Sequence, residues 1–193
     1  MFKRNKLYLW ISLVICLVSC SRNKTIELPN FPEKYIYKKY ENKTINLDVD
    51  LNILAECIFI NHKYNFKYYE ILAVIDAESE FKVKARSKLN CKGLMQVSQY
   101  ALKDYNDFHK NKIYDLYNIE NNLEVGFWFL DRIRTKLNTD DFHEIYVAYN
   151  VGLSYYKKHK EELLNGIYKG DKYNALNRYL EKEKKYKELL NGN

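Results

Sequence analysis

The stretch YYEILAVIDAES at residues 68–79, followed by EFKVKARSKLNCKGLMQ at residues 80–96, decides the fold. Its apolar residues recur at the three- and four-residue spacing of an amphipathic helix. They are Ile71, Leu72, Val74 and Ile75. This spacing predicts a helix from about Tyr68 to Glu78, followed by a loop. The carboxyl group of Glu78 is therefore expected at the end of an apolar helix, in a partly buried position.

Helical spacing continues on both sides of this stretch, whereas strand-type alternation bounded by turn signals is scarce. A first helix is predicted after Asp48, and Ser98 is a suitable N-cap for the helix that follows the loop. Further helices are predicted after Asn118 and over residues 141–156 and 174–190. Residues 48–193 are thus expected to form one all-α domain of about six helices.

The first twenty residues have the pattern of an export signal. Three basic residues precede an apolar run at residues 7–18, which is shorter than the roughly 20 residues that a spanning helix needs. The run ends in Leu-Val-Ser-Cys, which resembles the bacterial lipoprotein box. We predict a signal peptide at residues 1–19 and acylation of Cys20; the alternative is an ordinary secretory signal with a chance cysteine. The protein would be exported and lipid-anchored to a bacterial membrane, facing the periplasm or cell wall.

Residues 20–47 are polar, contain both prolines and show no sustained helical period, which is typical of a tether. The rest of the chain has the composition of an ordered globule. Hydrophobic residues make up 47% of the sequence and charged residues 30%. The formal net charge of +7 overstates the basicity, because 29 basic residues face 25 acidic ones once the signal is removed. A mild excess without a dense basic block argues against a nucleic-acid binder, while attraction to an anionic polymer or lipid stays open.

Motifs for metals, activated nucleophiles and phosphates are absent from the sequence, and its four histidines are isolated from one another. No metal site and no cofactor are therefore expected, and a carboxylate mechanism becomes the leading option. Cys57 and Cys91 could pair in an exported protein or could be two small buried side chains, and the sequence leaves both possibilities open.

Three motifs occur in order along the chain. They are Glu78-Ser79-Glu80-Phe81 continuing to Gly93-Leu94-Met95-Gln96, then Asn122-Leu123 with Gly126 and Leu130, then Ala148-Tyr149-Asn150 with Gly152. Together they resemble the soluble lytic transglycosylase family, and the resemblance covers nearly all of residues 48–193. It implies a lysozyme-like domain. The chain departs from the family pattern at Val83, where proline is common, and at the residues that follow Gln96.

The resemblance implies that Glu78 protonates a glycosidic oxygen of peptidoglycan and then, once ionised, takes the proton from the C6 hydroxyl of muramic acid. That hydroxyl attacks C1 and forms a 1,6-anhydro ring, so the second carboxylate of most glycosidases is not needed. An apolar surround would raise the pKa of Glu78, as a proton donor near neutral pH requires. The implied substrate-binding residues are Ser79, Ser87, Gly93, Leu94, Met95, Gln96, Tyr149, Asn150 and Tyr179, with Tyr173 as the alternative to Tyr179.

Two other functions stay open. A hydrolytic muramidase would cut the same bond and would need a carboxylate to position water, for which Asp76, Glu80 and Asp104 are candidates without a motif. A non-catalytic lipoprotein could bind glycan or a protein partner through the same groove. The expected partners are the glycan strands of peptidoglycan and a membrane reached through the lipid anchor. Nucleic acid is not expected, and envelope protein partners are not defined by the sequence.

Overall fold

The computed structural model describes residues 50–164 and 171–191. Its regular elements are seven helices: α1 (Leu51–Asn61), α2 (Tyr68–Ser79), α3 (Gln99–Phe108), α4 (Ile119–Leu137), α5 (Phe142–Val151), α6 (Leu153–Leu164) and α7 (Asp171–Asn191). No strand occurs within these ranges, where isolated antiparallel bridges join Arg86 to Lys92 and Lys92 to Val97. The all-α prediction is confirmed. The predicted signal peptide, Cys20 and the predicted tether lie outside the described residues.

Polar side chains cap the starts of the helices that surround the loop after α2. Ser98 accepts a hydrogen bond from the Ala101 N–H at 3.1 Å, so the predicted cap of α3 is present. Asn118 caps α4 and Asp141 caps α5 in the same way. Each cap satisfies an N–H group that the first turn of a helix leaves without a partner.

Helix α2 ends at Ser79 because the next two residues leave the helical conformation. Glu80 and Phe81 have φ angles of 51° and 61°, in the left-handed region that side chains other than glycine adopt uncommonly. The chain therefore turns away immediately after the last turn of α2. This turn places Glu78 at the helix end, beside the loop at residues 80–97, as the sequence predicts.

The prediction of a single helix over residues 141–156 is wrong. The structure has two helices there, α5 and α6, which are separated at Gly152. Gly152 has a φ of 89°, a conformation that glycine adopts without the steric penalty of a side chain. This break raises the number of helices in the described ranges from the expected six or so to seven.

The centre of the domain is α2, whose residues from Ile71 to Ile75 are buried. Helix α7 packs along it, and a polar cluster joins the two helices at Asp76. The Asp76 carboxylate accepts a hydrogen bond from the Tyr186 hydroxyl at 2.8 Å and lies 3.1 Å from the ammonium groups of both Lys182 and Lys185. Burial would raise the pKa of Asp76, but these three donors outweigh burial and lower it. The helix that carries Glu78 is thereby fixed at a point two residues before Glu78.

None of the helices within the described ranges combines the length and apolar character that crossing a bilayer requires.

Candidate active site

Glu78 lies at the end of α2 with its side chain facing α5. Tyr146 donates its hydroxyl hydrogen to Glu78 Oε1 over 3.0 Å, and Asn150 donates from Nδ2 to the same oxygen over 3.3 Å. Tyr146 and Asn150 are four residues apart on α5 and therefore share one helix face. Both donors hold Oε1, which leaves Oε2 as the oxygen that carries the proton of the neutral carboxyl group.

The surroundings of Glu78 favour its neutral form. Burial raises the pKa of this carboxyl group, and the hydrogen bonds from Tyr146 and Asn150, together with the positive charge of Arg178, only partly offset that effect. The net pKa is above the ordinary glutamate value. Glu78 remains partly accessible to solvent, so a substrate oxygen can reach it.

The side chain of Tyr146 is held in place by contacts with α7. Its ring stacks on that of Tyr179 in α7, with 4.3 Å between the ring centroids. The Tyr179 hydroxyl donates to Glu183 at 3.4 Å, and Glu183 also bonds the His143 ring at 2.9 Å. Burial raises the pKa of Tyr146 well above its ordinary value, so its phenol stays neutral and can donate to Glu78.

The segment from Lys92 to Val97 is held by one buried amide. Asn122, which is 1% exposed on α4, accepts the Met95 N–H on Oδ1 at 2.8 Å. Its Nδ2 donates to the carbonyl oxygens of Lys92 at 2.8 Å and Leu116 at 2.9 Å. The Met95 N–H and the Leu116 carbonyl oxygen would otherwise lack partners, whereas the Lys92 carbonyl oxygen also accepts the Val97 N–H at 2.9 Å.

Two motif glycines permit this arrangement. A Cβ atom on Gly93, whose φ is 76°, would lie 2.1 Å from Asn122 Nδ2, and one on Gly126 would lie 2.3 Å from the Met95 sulfur. Both distances are far inside van der Waals contact. The first two motifs of the sequence therefore meet through Gly93, Met95, Asn122 and Gly126, because only a residue without a side chain allows the approach.

The third motif meets the first at Met95 as well as at Glu78. Tyr149 donates its hydroxyl hydrogen to the Met95 carbonyl oxygen over 2.7 Å. Gln96, expected to bond sugar, donates from Nε2 to the Gly93 carbonyl oxygen at 3.0 Å and is partly exposed. Leu94 and Met95 are fully buried, so their side chains pack in the interior and do not reach the surface.

Three other predicted residues make local or interior contacts. Ser79 is buried and donates to the Ile75 carbonyl oxygen at 3.0 Å, one turn back in α2. Ser87 is exposed, and its hydroxyl accepts the Cys91 N–H at 3.1 Å. Tyr179 is fully buried behind Tyr146 and therefore reaches the site only through that ring. Tyr173 belongs to the part of α7 whose side chains are not described.

Tyr146 is the site residue that the sequence analysis missed. The motif directed attention to Tyr149, the neighbour of Asn150, whereas the hydroxyl that bonds Glu78 comes from Tyr146. A signal was available, because residues four apart on a helix share a face and Asn150 was already assigned to the cleft.

Neither a metal site nor a disulfide is present in the described ranges. Within residues 50–164 and 171–191, no group of three or more His, Cys, Asp or Glu side chains could hold a metal ion. Cys57 is a buried free thiol and Cys91 a partly exposed one. The expectation that the protein uses no metal and no cofactor stays a prediction.

Comparisons with known proteins agree with this architecture. A family model for the transglycosylase SLT domain matches residues 57–169, more than half of the chain. The fold is similar to that of an inactive mutant of lytic transglycosylase Slt from Pseudomonas aeruginosa, with a TM-score of 0.54 and 16% sequence identity. The similarity covers 83% of this chain but 26% of the other, so the chain spans about a quarter of that protein's length. No curated protein matches the sequence.

Replacing Asn122 by alanine tests whether its side-chain amide stabilises the segment from Lys92 to Val97. Asn122→Ala leaves the Met95 N–H and the Leu116 carbonyl oxygen without partners, and the free energy of unfolding should fall by about 2–4 kcal/mol. The measurement is urea unfolding of the full chain. The neighbouring change Asn121→Ala removes a hydrogen bond to the Asp115 carbonyl oxygen that is exposed to solvent, and should cost less than about 1 kcal/mol. Equal losses in the two variants would show that the buried amide has no special part in stability.

Proposed function

The chain belongs to the transglycosylase SLT domain family, and from this we propose that it is a peptidoglycan lytic transglycosylase. The reaction would cleave the β-1,4 bond between N-acetylmuramic acid and N-acetylglucosamine and leave a 1,6-anhydro end. One observation carries the proposal: Glu78 is a carboxyl group whose pKa is raised by burial and whose Oε1 is held by two donors from α5. Such a group can hold a proton near neutral pH and present it in a fixed direction.

In the first step, Glu78 donates the proton on Oε2 to the oxygen that links the two sugars, and the bond between that oxygen and C1 of muramic acid breaks. Glu78 becomes a carboxylate as positive charge develops on the sugar ring. Tyr146 and Asn150 keep their hydrogen bonds to Oε1 through this change. Hydrogen bonds to an anion are stronger than those to a neutral group, so these two donors stabilise the ionised state that the step creates.

In the second step, the Glu78 carboxylate takes the proton of the muramic acid C6 hydroxyl while that oxygen attacks C1. The new bond closes the 1,6-anhydro ring, and the proton returns to Glu78, so no water is consumed. The nucleophile belongs to the substrate and benefits from a high effective concentration at C1. One residue can serve both steps because burial favours its protonated form, while the two donors and Arg178 favour its ionised form.

The placement of the other carboxylates favours this reaction over hydrolysis. Asp76 is bound by Tyr186 and two lysines, Glu80 pairs with Lys82 at 2.6 Å, and Asp104 pairs with Arg132 at 2.7 Å. Each of the three candidates for positioning water is thus engaged elsewhere. The inactive form of the similar Pseudomonas aeruginosa protein replaces a glutamate by glutamine. This agrees with dependence on an acid in that protein.

Identifying the products tests the proposal directly. The purified full chain, kept in detergent, is incubated with peptidoglycan, and the released muropeptides are analysed by mass spectrometry. We expect 1,6-anhydro ends, lighter by one water than reducing ends. Glu78→Gln should lower the rate by about 10³-fold, the order that general acid catalysis contributes, and should leave binding intact.

The matched control is Glu80→Gln, which changes an exposed carboxylate two residues away and should leave the rate unchanged. Reducing ends would assign the protein to the hydrolases. Absence of any release by the wild type, across several wall types, would favour the binding function.

The pH dependence of kcat/KM tests the state of Glu78. The acid must be protonated in the free enzyme, so activity should fall as pH rises through its raised pKa, which lies above the ordinary 4.5. Tyr146→Phe removes a donor that lowers this pKa, so the alkaline limb should move to higher pH while the maximal rate falls. Tyr114→Phe, at an exposed tyrosine, should change neither. A limb that stays in place, or moves to lower pH, would contradict the role given to Tyr146.

Membrane attachment through Cys20 is part of the same proposal, and rests on the sequence pattern at residues 1–20. Metabolic labelling of the full chain with a radioactive fatty acid in a bacterial host should mark the wild type. The label should be absent from Cys20→Ala and unchanged in Cys91→Ala. Stable attachment needs two or more acyl chains or a second signal. Equal labelling of all three proteins, or no labelling of the wild type, would contradict the lipid anchor.

A further inference from the structure

The loop that follows α2, the helix that carries Glu78, has a concentrated positive charge. Within residues 82–92, which we call the basic loop, every second residue from 82 to 88 is basic, and the last residue is basic too. These residues are Lys82, Lys84, Arg86, Lys88 and Lys92. Only Lys82 forms an ion pair within the described part of the chain, with Glu80. The side chains of Lys84, Arg86 and Lys88 are exposed.

Backbone hydrogen bonds give the basic loop a fixed shape. The Ser87 N–H donates to the Cys91 carbonyl oxygen at 3.0 Å, and the Gly93 N–H donates to the Ala85 carbonyl oxygen at 2.9 Å. Lys92 and Val97 exchange two further bonds, of 3.1 and 2.9 Å. The charges therefore sit on an ordered scaffold, and a ligand that binds them does not have to order the backbone first.

The arrangement of the charges opposes the stability of the loop. Arg86 and Lys92 face each other as an antiparallel bridge pair. Like charges directly opposite one another destabilise such a pair. No acidic residue lies between positions 81 and 103 to compensate. Lys92 has a cation–π contact with the Tyr117 ring at 5.7 Å, but no carboxylate of the described residues pairs with either cation. A local rule that is broken in this way is typical of a functional surface, and here the missing group is an anion.

The position of the basic loop indicates which anion it meets. It leaves the end of α2 just beyond Glu78 and returns to Gly93, whose backbone is packed against Asn122. The carbonyl oxygen of Met95, two residues after Gly93, accepts a hydrogen bond from the Tyr149 hydroxyl. Asn150, the residue after Tyr149, donates a hydrogen bond to Glu78. A glycan strand bound at Glu78 would thus run beside the loop, and whatever projects from its muramic acid residues would come near these cations.

We propose that the basic loop binds the free carboxylates of the peptide stems that peptidoglycan carries on muramic acid, so that stem-bearing strands are cleaved faster than bare ones. This inference rests on the proposed function. Each stem supplies several carboxylates beyond the sugar, whereas a strand stripped of its stems keeps only the lactyl carboxylate. Attraction between exposed charges is modest per pair and weakens with ionic strength, so the preference should decline as salt is added.

The test compares Lys84→Glu/Lys88→Glu with Lys110→Glu/Lys136→Glu, which makes the same change in net charge at exposed lysines outside the loop. The full chain in detergent is given peptidoglycan with intact stems and the same material after an amidase has removed them. Wild type and control should favour the stem-bearing substrate at low salt. The loop variant should lose roughly fivefold in kcat/KM on that substrate, as expected from exposed pairs worth up to about 1 kcal/mol each, and little on bare strands.

Equal rates of the wild type on both substrates, or equal behaviour of the two variants, would overturn the proposal. So would a loop variant that keeps its substrate preference but loses binding to vesicles containing phosphatidylglycerol, because the loop would then serve a lipid surface. If the wild type cleaves neither substrate, the proposed function fails and cosedimentation with peptidoglycan decides the role of the loop. If binding to peptidoglycan depends on the stems and only the loop variant has lost it, the contact between the basic loop and the stems is supported. If the loop variant binds like the wild type, that contact is overturned.

Discussion

The shape of the site depends on the side-chain amide of Asn122. It bonds one N–H group and two carbonyl groups from chain segments on either side of α3, and for the Met95 N–H and the Leu116 carbonyl oxygen it is the partner that the structure provides. Buried backbone groups without partners are costly, so the loop beside Glu78 can keep this course only while the amide stands at that place. The absence of side chains at Gly93 and Gly126 leaves room for it. The two glycines and the asparagine, which come from the first two motifs, therefore form one constraint.

Three helices supply and support the other residues of the site. Helix α2 brings Glu78 to its last turn, where the chain turns away and leaves the carboxyl group partly accessible. Helix α5 supplies Tyr146 and Asn150, and α7 supports Tyr146 through the stacked ring of Tyr179. The pKa of Glu78 is set by the competition between burial, which favours the proton, and these donors, which favour the anion. A group that must give a proton and then take one benefits from both effects.

The sequence predicted the helical class, the cap at Ser98 and the placement of Glu78 because these follow from local spacing and capping chemistry. It failed where the answer depends on packing between distant segments. Tyr179 was expected to bind substrate, yet it packs inside behind Tyr146. The break at Gly152 was missed because apolar spacing continues across it. The basic residues of the basic loop were counted only as part of a mild overall excess, although their alternation is visible in the sequence. The structure adds the backbone hydrogen bonds that hold them beside the site.

The central requirement of this chemistry is that Glu78 carries a proton near neutral pH. A carbon-13 NMR titration of the full chain, labelled at its glutamate carboxyl groups, measures this directly, with the Glu78 signal assigned by its absence from Glu78→Gln. We expect Glu78 to titrate clearly above the exposed Glu80, whose pKa the neighbouring Lys82 lowers. If the two carboxyl groups titrated together at an ordinary glutamate pKa, Glu78 would be ionised at neutral pH and could not be the acid of the reaction.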